Sequence, residues 1–299
     1  MKTMQIKFIP EAGFCTPLRA DVLFGQILWQ VRYLWGEEEL YRLLEQFRAG
    51  NVPFVVSDAM PEDYLPKPVH LPAERVEGDL NEVAARKKLK KVEWIKLQDY
   101  LAYVAGNELN LNVLEPVLVE TEEMHNTINR LTGTTGTEGS LYSSEAYYFN
   151  HQCYEYLSFY LRSNAEWLDR FPEILDSLEL TGLGKGKARG YGQFHLIGWD
   201  NCEWLDEIEG ADAMLLGNAF VPSASDPVEG YWRVETKFGR TGENISSFPF
   251  KKPMTMLARG TVLKGSYRPY VGKLLTDIHH DPRIVHSGYG FTFPWRWVD

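Results

Sequence analysis

Cysteines are few in this sequence, and a long apolar run is missing. The three cysteines, Cys15, Cys153 and Cys202, are far apart and odd in number, which argues against a disulfide framework or a cysteine-based zinc site and suggests a reducing compartment. No uncharged apolar run of about 18 residues occurs, so no membrane-spanning helix is expected. The first residues reach Pro10 and Glu11 too early for the apolar core of a signal peptide. We therefore expect a cytoplasmic protein.

Basic residues are also in the minority, with 31 lysines and arginines against 41 acids and a formal net charge of −10. This balance argues against indiscriminate nucleic-acid binding, although phosphate is bound by local patches rather than by the average surface. Segments 180–199 and 251–273 contain cations but no acid, whereas segment 200–212 contains six acids. The sequence therefore predicts an anion-binding face and a separate acidic face that would meet protein neighbours.

Hydrophobic periodicity predicts alternating strands and helices up to about residue 200. MQIKFIP indicates a first strand, and TPLRADVLFGQILWQVRYLW indicates a helix that starts near Thr16 and Pro17. A second helix, EEELYRLLEQFRAGN, should stop at Gly50 and Asn51. Helices are also expected at 79–105 and at AEWLDRFPEILDSLEL, the latter broken near its proline. Strands are expected at VPFVVSDAM, SEAYYFN, YEYLSFYLR and QFHLIGW, with SEAYYFN and YEYLSFYLR paired.

This order of elements predicts an α+β fold. Strand–helix–strand occurs twice between residues 4 and 198, which favours a ferredoxin-like (RRM-like) topology with insertions. After segment 200–212 the pattern becomes mainly β. The predicted domains are therefore 1–199, with an insertion at about 75–140, and a smaller C-terminal domain at 200–299 that could be a degraded second copy.

A glycine-rich stretch, TGLGKGKARGYGQF, precedes the last strand of the first predicted domain. It is not a P-loop, because neither Gly-Lys pair is followed by Ser or Thr, and it does not fit the dinucleotide pattern. RGYGQFHL matches the first four positions of the RRM signature and departs from it later.

Two interpretations of this stretch stay open on its residues alone. Glycines let backbone N–H groups approach a phosphate chain, Lys185, Lys187 and Arg189 add charge, and Tyr191 offers a face for stacking. The alternative is a connector between a helix and a strand whose lysines only keep it soluble.

Four segments, in order, resemble the RAMP superfamily of CRISPR effector proteins. They are FCTPLRADVLFGQILW, VSDAMPEDYLPKP, HNTINRLTGTTG and GLGKGKARGYGQF. Their combination is similar to the fourth-subunit group of the type III-A (Csm) effector. The resemblance covers residues 14 to 194 and is weaker from 200 onward.

The resemblance implies two RRM-like domains and a non-catalytic subunit without cofactor or metal. Such a subunit caps the complex at the crRNA 5′ end, binds the repeat-derived handle, and contacts the large polymerase/cyclase subunit and the adjacent RAMP backbone subunit. The insertion 75–140, with its ARKKLKK run at 85–91, corresponds to the thumb of RAMP backbone proteins. Ala188 departs from the serine common in the family's loop.

The resemblance also implies a set of RNA-binding residues, contributed by the start of the first helix, the second and third motifs and the glycine-rich loop at 182–192. They are Arg19, Ser57, Asp58, Lys67, His125, Asn126, Arg130, Thr132, Gly182, Gly184, Lys185, Gly186, Lys187, Arg189, Gly190, Tyr191 and Gly192.

The third motif has two interpretations. At helical spacing His125 and Asn129 would share one face and Asn126 and Arg130 the next, which could form a polar grip on RNA. Otherwise Asn126 caps a turn and Arg130 pairs with a nearby glutamate.

An enzyme is the alternative function. A histidine at a ribose 2′-hydroxyl could act as general base, so His125, His279 or His280 would make the chain a metal-independent endoribonuclease that processes CRISPR precursor RNA. A metal site from His279, His280, Asp277 and Asp281 is disfavoured, because neighbouring residues of one loop rarely converge without further ligands. A scaffold that touches only protein is the third possibility.

Overall fold

The computed structural model describes residues 1–70, 91–135, 141–242 and 248–297. Its helices are α1 (Ala20–Arg48), α2 (Leu97–Val104), α3 (Ala165–Leu168) and α4 (Phe171–Thr181). The strands of the first 200 residues are β1 (Lys2–Pro10), β2 (Phe54–Val56), β3 (Met60–Pro61), β4 (Tyr64–Pro66), β5 (Trp94–Lys96), β6 (Leu118–Asn126), β7 (Leu141–Phe149), β8 (Leu157–Ser163) and β9 (Phe194–Asn201). The later strands are β10 (Ala213–Leu216), β11 (Gly230–Tyr231), β12 (Val234–Lys237), β13 (Met254–Leu257), β14 (Val262–Lys264), β15 (Tyr270–Leu275) and β16 (His286–Trp295). Short 3-10 helices lie at Lys187–Arg189 and Glu203–Leu205.

The first sheet has the order β2–β8–β1–β9, with β3 also beside β8, and every pair is antiparallel. β8 is buried along its whole length, which requires cover on both faces of the sheet. On one face Phe54 packs against Phe24 of α1 and Phe171 of α4. On the other face Tyr160 packs against Phe293 of β16, with ring centroids 5.1 Å apart. Mixed helices and antiparallel sheets confirm the α+β class.

The second sheet has the order β11–β14–β10–β16–β15, again antiparallel, and it lies against β8. Arg162 of β8 joins the two halves, because its fully buried guanidinium is 2.8 Å from Asp206 and donates to the carbonyl oxygens of Pro269 and Thr292 at 2.6 Å. It also lies 4.0 Å above the Phe291 ring. A buried charge of this kind needs all of its partners.

The two helices expected near the N-terminus are confirmed. They are the two parts of α1, which is interrupted at Gly36 with φ +88° and ψ 177°. The helix starts at Ala20 rather than at the predicted Thr16. Its first turn is capped from a distance, because the Ala20 N–H donates to the Asp58 carboxylate at 2.8 Å. A cap from another segment cannot be read from local sequence.

Two predictions about the insertion are wrong. β7 pairs with β6 along nine residue pairs, from Leu118↔Phe149 to Asn126↔Leu141, rather than with β8, whose neighbours are β1, β2 and β3. In the described part of 79–105 only Leu97–Val104 is helical, because Trp94–Lys96 pairs with β4. Of the basic run 85–91, all but Lys91 lies outside the described residues.

The acidic segment 200–212 is partly used inside the fold. Asp200 pairs with Lys7 at 2.5 Å, and Asp206 accepts hydrogen bonds from Arg162. The carboxylate of Asp212 accepts from the Trp297 N–H at 2.6 Å. These acids stabilise contacts within the chain, so the segment is not the uniform free face that its composition predicts.

The basic segment 251–273 is likewise mostly paired. Arg259 lies 3.1 Å from Glu93, and Lys264 lies 2.8 Å from Glu229. Lys251 donates to the Val285 carbonyl, and burial lowers its pKa to about 8. This pairing does not support the prediction that segment 251–273 belongs to an anion-binding face.

Candidate RNA-binding site

The glycine-rich loop leaves α4 at Gly182 and is closed at its base. The Leu183 N–H donates to the Gly192 carbonyl at 2.8 Å, and the Gly192 N–H donates to the Gly13 carbonyl at 2.9 Å. Gly192 has φ +78°, and a Cβ there would overlap the Leu183 carbonyl oxygen. Only glycine permits this close approach of two backbones.

The outer part of the loop presents unpaired N–H groups beside cations. Within the described residues, the N–H groups of Gly184, Lys185, Gly186 and Ala188 donate to no protein acceptor. The side chains of Lys185 and Arg189 are exposed there. Left-handed glycines, which include Gly184, Gly186 and Gly190, shape the turn. Unpaired N–H groups and cations together form the kind of surface that binds an anion.

Two residues of the loop point back into the protein. Lys187 donates to the Gln26 side chain on α1 at 2.7 Å. The Tyr191 ring is only 9% exposed and lies beneath the Arg189 guanidinium at 5.2 Å. The interpretation of Tyr191 as a stacking face for a base is therefore wrong, because the ring anchors the loop.

The third motif lies at the distal end of the β6–β7 hairpin. His125 is a strand residue whose Nε2 lies 2.7 Å from the Ser144 Oγ, and its ring stacks on Tyr142 at 5.2 Å. The predicted helical face is wrong, because His125 and Asn126 point to opposite sides of a strand. Asn126 is exposed at the end of β6.

Beyond β6, residues 127–135, the described part of the hairpin turn, are exposed to solvent. Arg130 is exposed, as is Thr132, whose hydroxyl lies 2.9 Å from that of Thr134. Leu131 between them is 96% exposed. These side chains remain available to a ligand.

Contacts bring the hairpin, the glycine-rich loop and the β1–α1 connection together. Phe14 and Tyr147 exchange two backbone hydrogen bonds, at 2.9 and 2.8 Å. The Glu123 carboxylate accepts hydrogen bonds from the hydroxyls of Tyr148 and Tyr191. Glu123 was not predicted from the sequence, because it belongs to none of the motifs and an acid is not expected in an anion-binding site.

Two residues of the second motif are buried, which corrects their prediction as RNA contacts. The Ser57 side chain is fully buried, where it donates to the Asp58 carbonyl at 2.8 Å and accepts from the Tyr160 N–H at 2.9 Å. Asp58 is 4% exposed and caps α1. Burial raises the Asp58 pKa more than nearby Arg259 lowers it. Both residues position α1.

Arg19 and Lys67 occupy other surroundings. Arg19, the residue before α1, is 2.7 Å from Glu235 of β12. Lys67 is half-buried, its N–H donates to the Glu93 carbonyl at 2.9 Å, and burial lowers its pKa. The structure thus brings together the loop and hairpin residues, whereas Arg19 pairs with Glu235 and Lys67 is half-buried.

Of the histidines proposed for catalysis, His279 and His280 lie side by side, with ring centroids 4.0 Å apart, but the nitrogens of His279 are used in other contacts. His279 is buried, with Nε2 2.8 Å from the Phe248 carbonyl and Nδ1 accepting from the Asp281 N–H at 3.0 Å. Both ring nitrogens are therefore occupied, which leaves no lone pair for a general base. Among the residues described, no group of three His, Cys, Asp or Glu side chains could hold a metal ion. None of the described helices is both long and apolar enough to span a membrane.

Two curated proteins similar to this chain are Csm4 proteins of CRISPR systems. No family model matches the chain. Csm4 of the CRISPR system of Thermococcus onnurineus is 27% identical over 317 aligned positions, which cover 98% of this chain and 96% of that protein. Csm4 of Streptococcus thermophilus is 29% identical over 156 positions, which cover 50% of this chain and 46% of that protein. The chain is Csm4-like.

Solved structures extend the Csm4-like character to the fold. A chain of the Csm1–Csm4 cassette in complex with pppApA matches with a TM-score of 0.65 and 19% identity over 100% of both chains. A chain of the Csm3–Csm4 subcomplex of the type III-A CRISPR-Cas interference complex matches with a TM-score of 0.65 and 15% identity, over 99% of this chain and 100% of that one. The likeness therefore includes the residues after 200, where the sequence motifs were weak.

Proposed function

We propose that this Csm4-like chain is a non-catalytic RNA-binding subunit of a type III-A CRISPR effector that holds the 5′ handle of the crRNA. The likeness to Csm4 of Thermococcus onnurineus over nearly the whole of both chains supports the assignment to the effector. The observation that carries RNA binding is the set of unpaired N–H groups of Gly184, Lys185, Gly186 and Ala188, which lie beside the exposed cations Lys185 and Arg189. Such a surface fits the ribose-phosphate backbone of a single strand.

The proposed RNA site comprises the exposed part of the loop and the hairpin residues beside it. The loop contributes its glycines, the exposed Lys185 and Arg189, and Lys187, whose ammonium donates to Gln26 and adds positive charge behind the surface. The hairpin contributes His125, Asn126, Arg130 and Thr132. Ser57, Asp58 and Tyr191 support it from within, since all three are buried. RNA contacts by Arg19, which pairs with Glu235, and by half-buried Lys67 stay predictions.

Two protein partners follow from the relatives. Solved neighbours include a Csm1–Csm4 cassette and a Csm3–Csm4 subcomplex. We therefore propose contacts with the large polymerase/cyclase subunit and with an adjacent RAMP backbone subunit, in the cytoplasm and without a cofactor.

We also propose two ferredoxin-like domains, 1–199 and 200–299. In the first sheet the four strands of the strand–helix–strand repeat lie in the order second, third, first, fourth, all antiparallel. This arrangement supports the ferredoxin-like topology for 1–199.

Charge reversal of the loop tests the proposal. Lys185→Glu, Lys187→Glu and Arg189→Glu are combined in the full chain, and its affinity for a labelled single-stranded RNA of the handle sequence is measured against salt. We expect binding at least about tenfold weaker, with the slope of log K against log salt smaller by about 2, because each lost phosphate contact removes about 0.7. Equal loss in a control with Lys2→Glu, Lys96→Glu and Lys273→Glu, three exposed cations elsewhere, would contradict a local site.

The same RNA, analysed on a denaturing gel, addresses the endoribonuclease alternative. We expect intact RNA after incubation with the wild-type chain. Cleavage that disappears in His125→Ala would overturn the non-catalytic assignment in favour of the enzyme.

A further inference from the structure

One acidic side chain lies between the hairpin and the glycine-rich loop. Glu123 of β6 has one carboxylate oxygen bonded by the Tyr148 hydroxyl of β7 and the other by the Tyr191 hydroxyl of the loop. His125 Nε2 lies 3.9 Å from the same carboxylate. A single carboxylate thus connects two elements that are far apart in sequence.

The loop end of this connection is rigid. Tyr191 is almost fully buried, and the residue after it, Gly192, is bonded to Gly13 and Leu183. A Cβ on Gly186 would lie 3.0 Å from the Tyr191 ring, so the turn wraps closely around this side chain. Movement of the Tyr191 ring would therefore displace the unpaired N–H groups of the turn.

The hairpin end is fixed as well. Tyr148 lies against Gly13, where a Cβ would come within 2.9 Å of the ring. Gly13 is also the acceptor for the Gly192 N–H. Gly13 thus contacts both Tyr148 of the hairpin and Gly192 of the loop, and Glu123 accepts hydrogen bonds from the same two elements.

A carboxylate in a site for a polyanion has an electrostatic disadvantage. At close range it repels phosphate, so its removal should by charge alone strengthen RNA binding. If Glu123 only accepted hydrogen bonds from groups that would otherwise donate to phosphate, its removal would also strengthen RNA binding. Only a role in positioning the loop and the hairpin predicts that removal of Glu123 weakens RNA binding.

We propose that Glu123 is a positioning residue that clamps the β6–β7 hairpin to the glycine-rich loop, so that both present one pre-formed surface to RNA. The RNA part of this inference rests on the proposed function, whereas the clamp itself is a property of the free chain. Pre-formed sites bind more tightly because less order is lost on binding.

The test is a double-mutant cycle in the full chain with Glu123→Ala and Tyr191→Phe. The first readout is hydrogen exchange of the amides of 182–192 without RNA, and the second is affinity for the handle RNA. We expect each single variant to speed exchange in the loop and to weaken RNA binding about three- to tenfold. The double variant should be no worse than Glu123→Ala, because the contact that Tyr191→Phe deletes is already absent once the Glu123 carboxylate is removed.

Glu122→Ala is the matched control, since it removes the same charge from an exposed neighbour on the hairpin. It should leave loop exchange unchanged and RNA binding equal or slightly tighter. Tighter RNA binding in Glu123→Ala, unchanged loop exchange, or additive effects in the double variant would overturn the clamp. If the wild-type chain binds no handle RNA, the proposed function fails, while the exchange measurements still decide whether the clamp exists.

Discussion

At the scale of single residues, His286 at the start of β16 is a buried titratable group with charged neighbours. Its Nε2 lies 3.8 Å from the carboxylate of Asp21, which in turn pairs with Lys237 at 2.8 Å, and Lys251 is also near. Within the described residues this nitrogen has no hydrogen-bond partner. Burial outweighs the attraction of Asp21 and lowers the His286 pKa to about 4.

This pKa predicts a loss of stability in mild acid. Between pH 6.5 and 4 the unfolded chain binds a proton at this histidine that the folded chain does not, so the free energy of unfolding falls as pH falls through this window. For a pKa of about 4 against a usual 6.5, the loss from pH 7 to pH 5 is about 2 kcal/mol. Urea unfolding of the wild type and of His286→Gln at both pH values measures it. An equal pH dependence in the two proteins would contradict the assignment.

Residue roles were the hardest property to predict from sequence. Ser57 and Asp58 belong to a motif that resembles family members, yet both are buried and position α1. Their contacts come from Tyr160 and Ala20, which lie far away in the chain. Local spacing carries no information on such partners.

At the scale of elements, the glycine-rich loop depends on its closure. Gly192 and Gly190 both have positive φ, but only Gly192 lies against another backbone segment. Alanine substitutions at the two positions therefore separate two costs. Both substitutions incur the cost of a positive φ, but only the one at Gly192 adds a steric overlap.

Gly192→Ala is expected to destabilise the chain more than Gly190→Ala. At both positions alanine must adopt an unfavourable backbone conformation, which costs roughly 1 kcal/mol. At Gly192 the new Cβ also overlaps the Leu183 carbonyl and breaks the hydrogen bond that closes the loop, so we expect at least about 2 kcal/mol in total. Chemical denaturation of the two variants checks this difference. Equal losses would show that the closure contributes nothing.

Element types were predicted well where periodicity was strong, but pairing was not. β1, β9 and both parts of α1 follow directly from apolar spacing. The strand character of β7 was also predicted, whereas its partner β6 was not, because the mostly polar Leu118–Asn126 segment has no apolar face to mark it. A strand pattern fixes which side chains face the core, and distant residues decide which strand lies alongside.

At the scale of the whole molecule, the shift to β pattern near residue 200 predicts a domain boundary, yet one core crosses it. Tyr160 of the first sheet packs on Phe291 and Phe293 of the second. Arg162 holds Asp206 and two carbonyls of the second half from a fully buried position. The two predicted domains are therefore expected to depend on each other for stability.

The last prediction is that the described halves unfold in one transition. Arg162→Ala leaves the carbonyls of Pro269 and Thr292 without this donor and the Asp206 carboxylate without its cation, so we expect a loss of about 3–5 kcal/mol. Hydrogen exchange under increasing denaturant, followed in β8 and β16, should show both strands opening at one midpoint, and the substitution should lower both midpoints together. Lys273→Ala, at an exposed position of the second half, should move neither. Separate midpoints for β8 and β16 in the wild type, or a shift of only one of them in Arg162→Ala, would show that the halves are energetically independent.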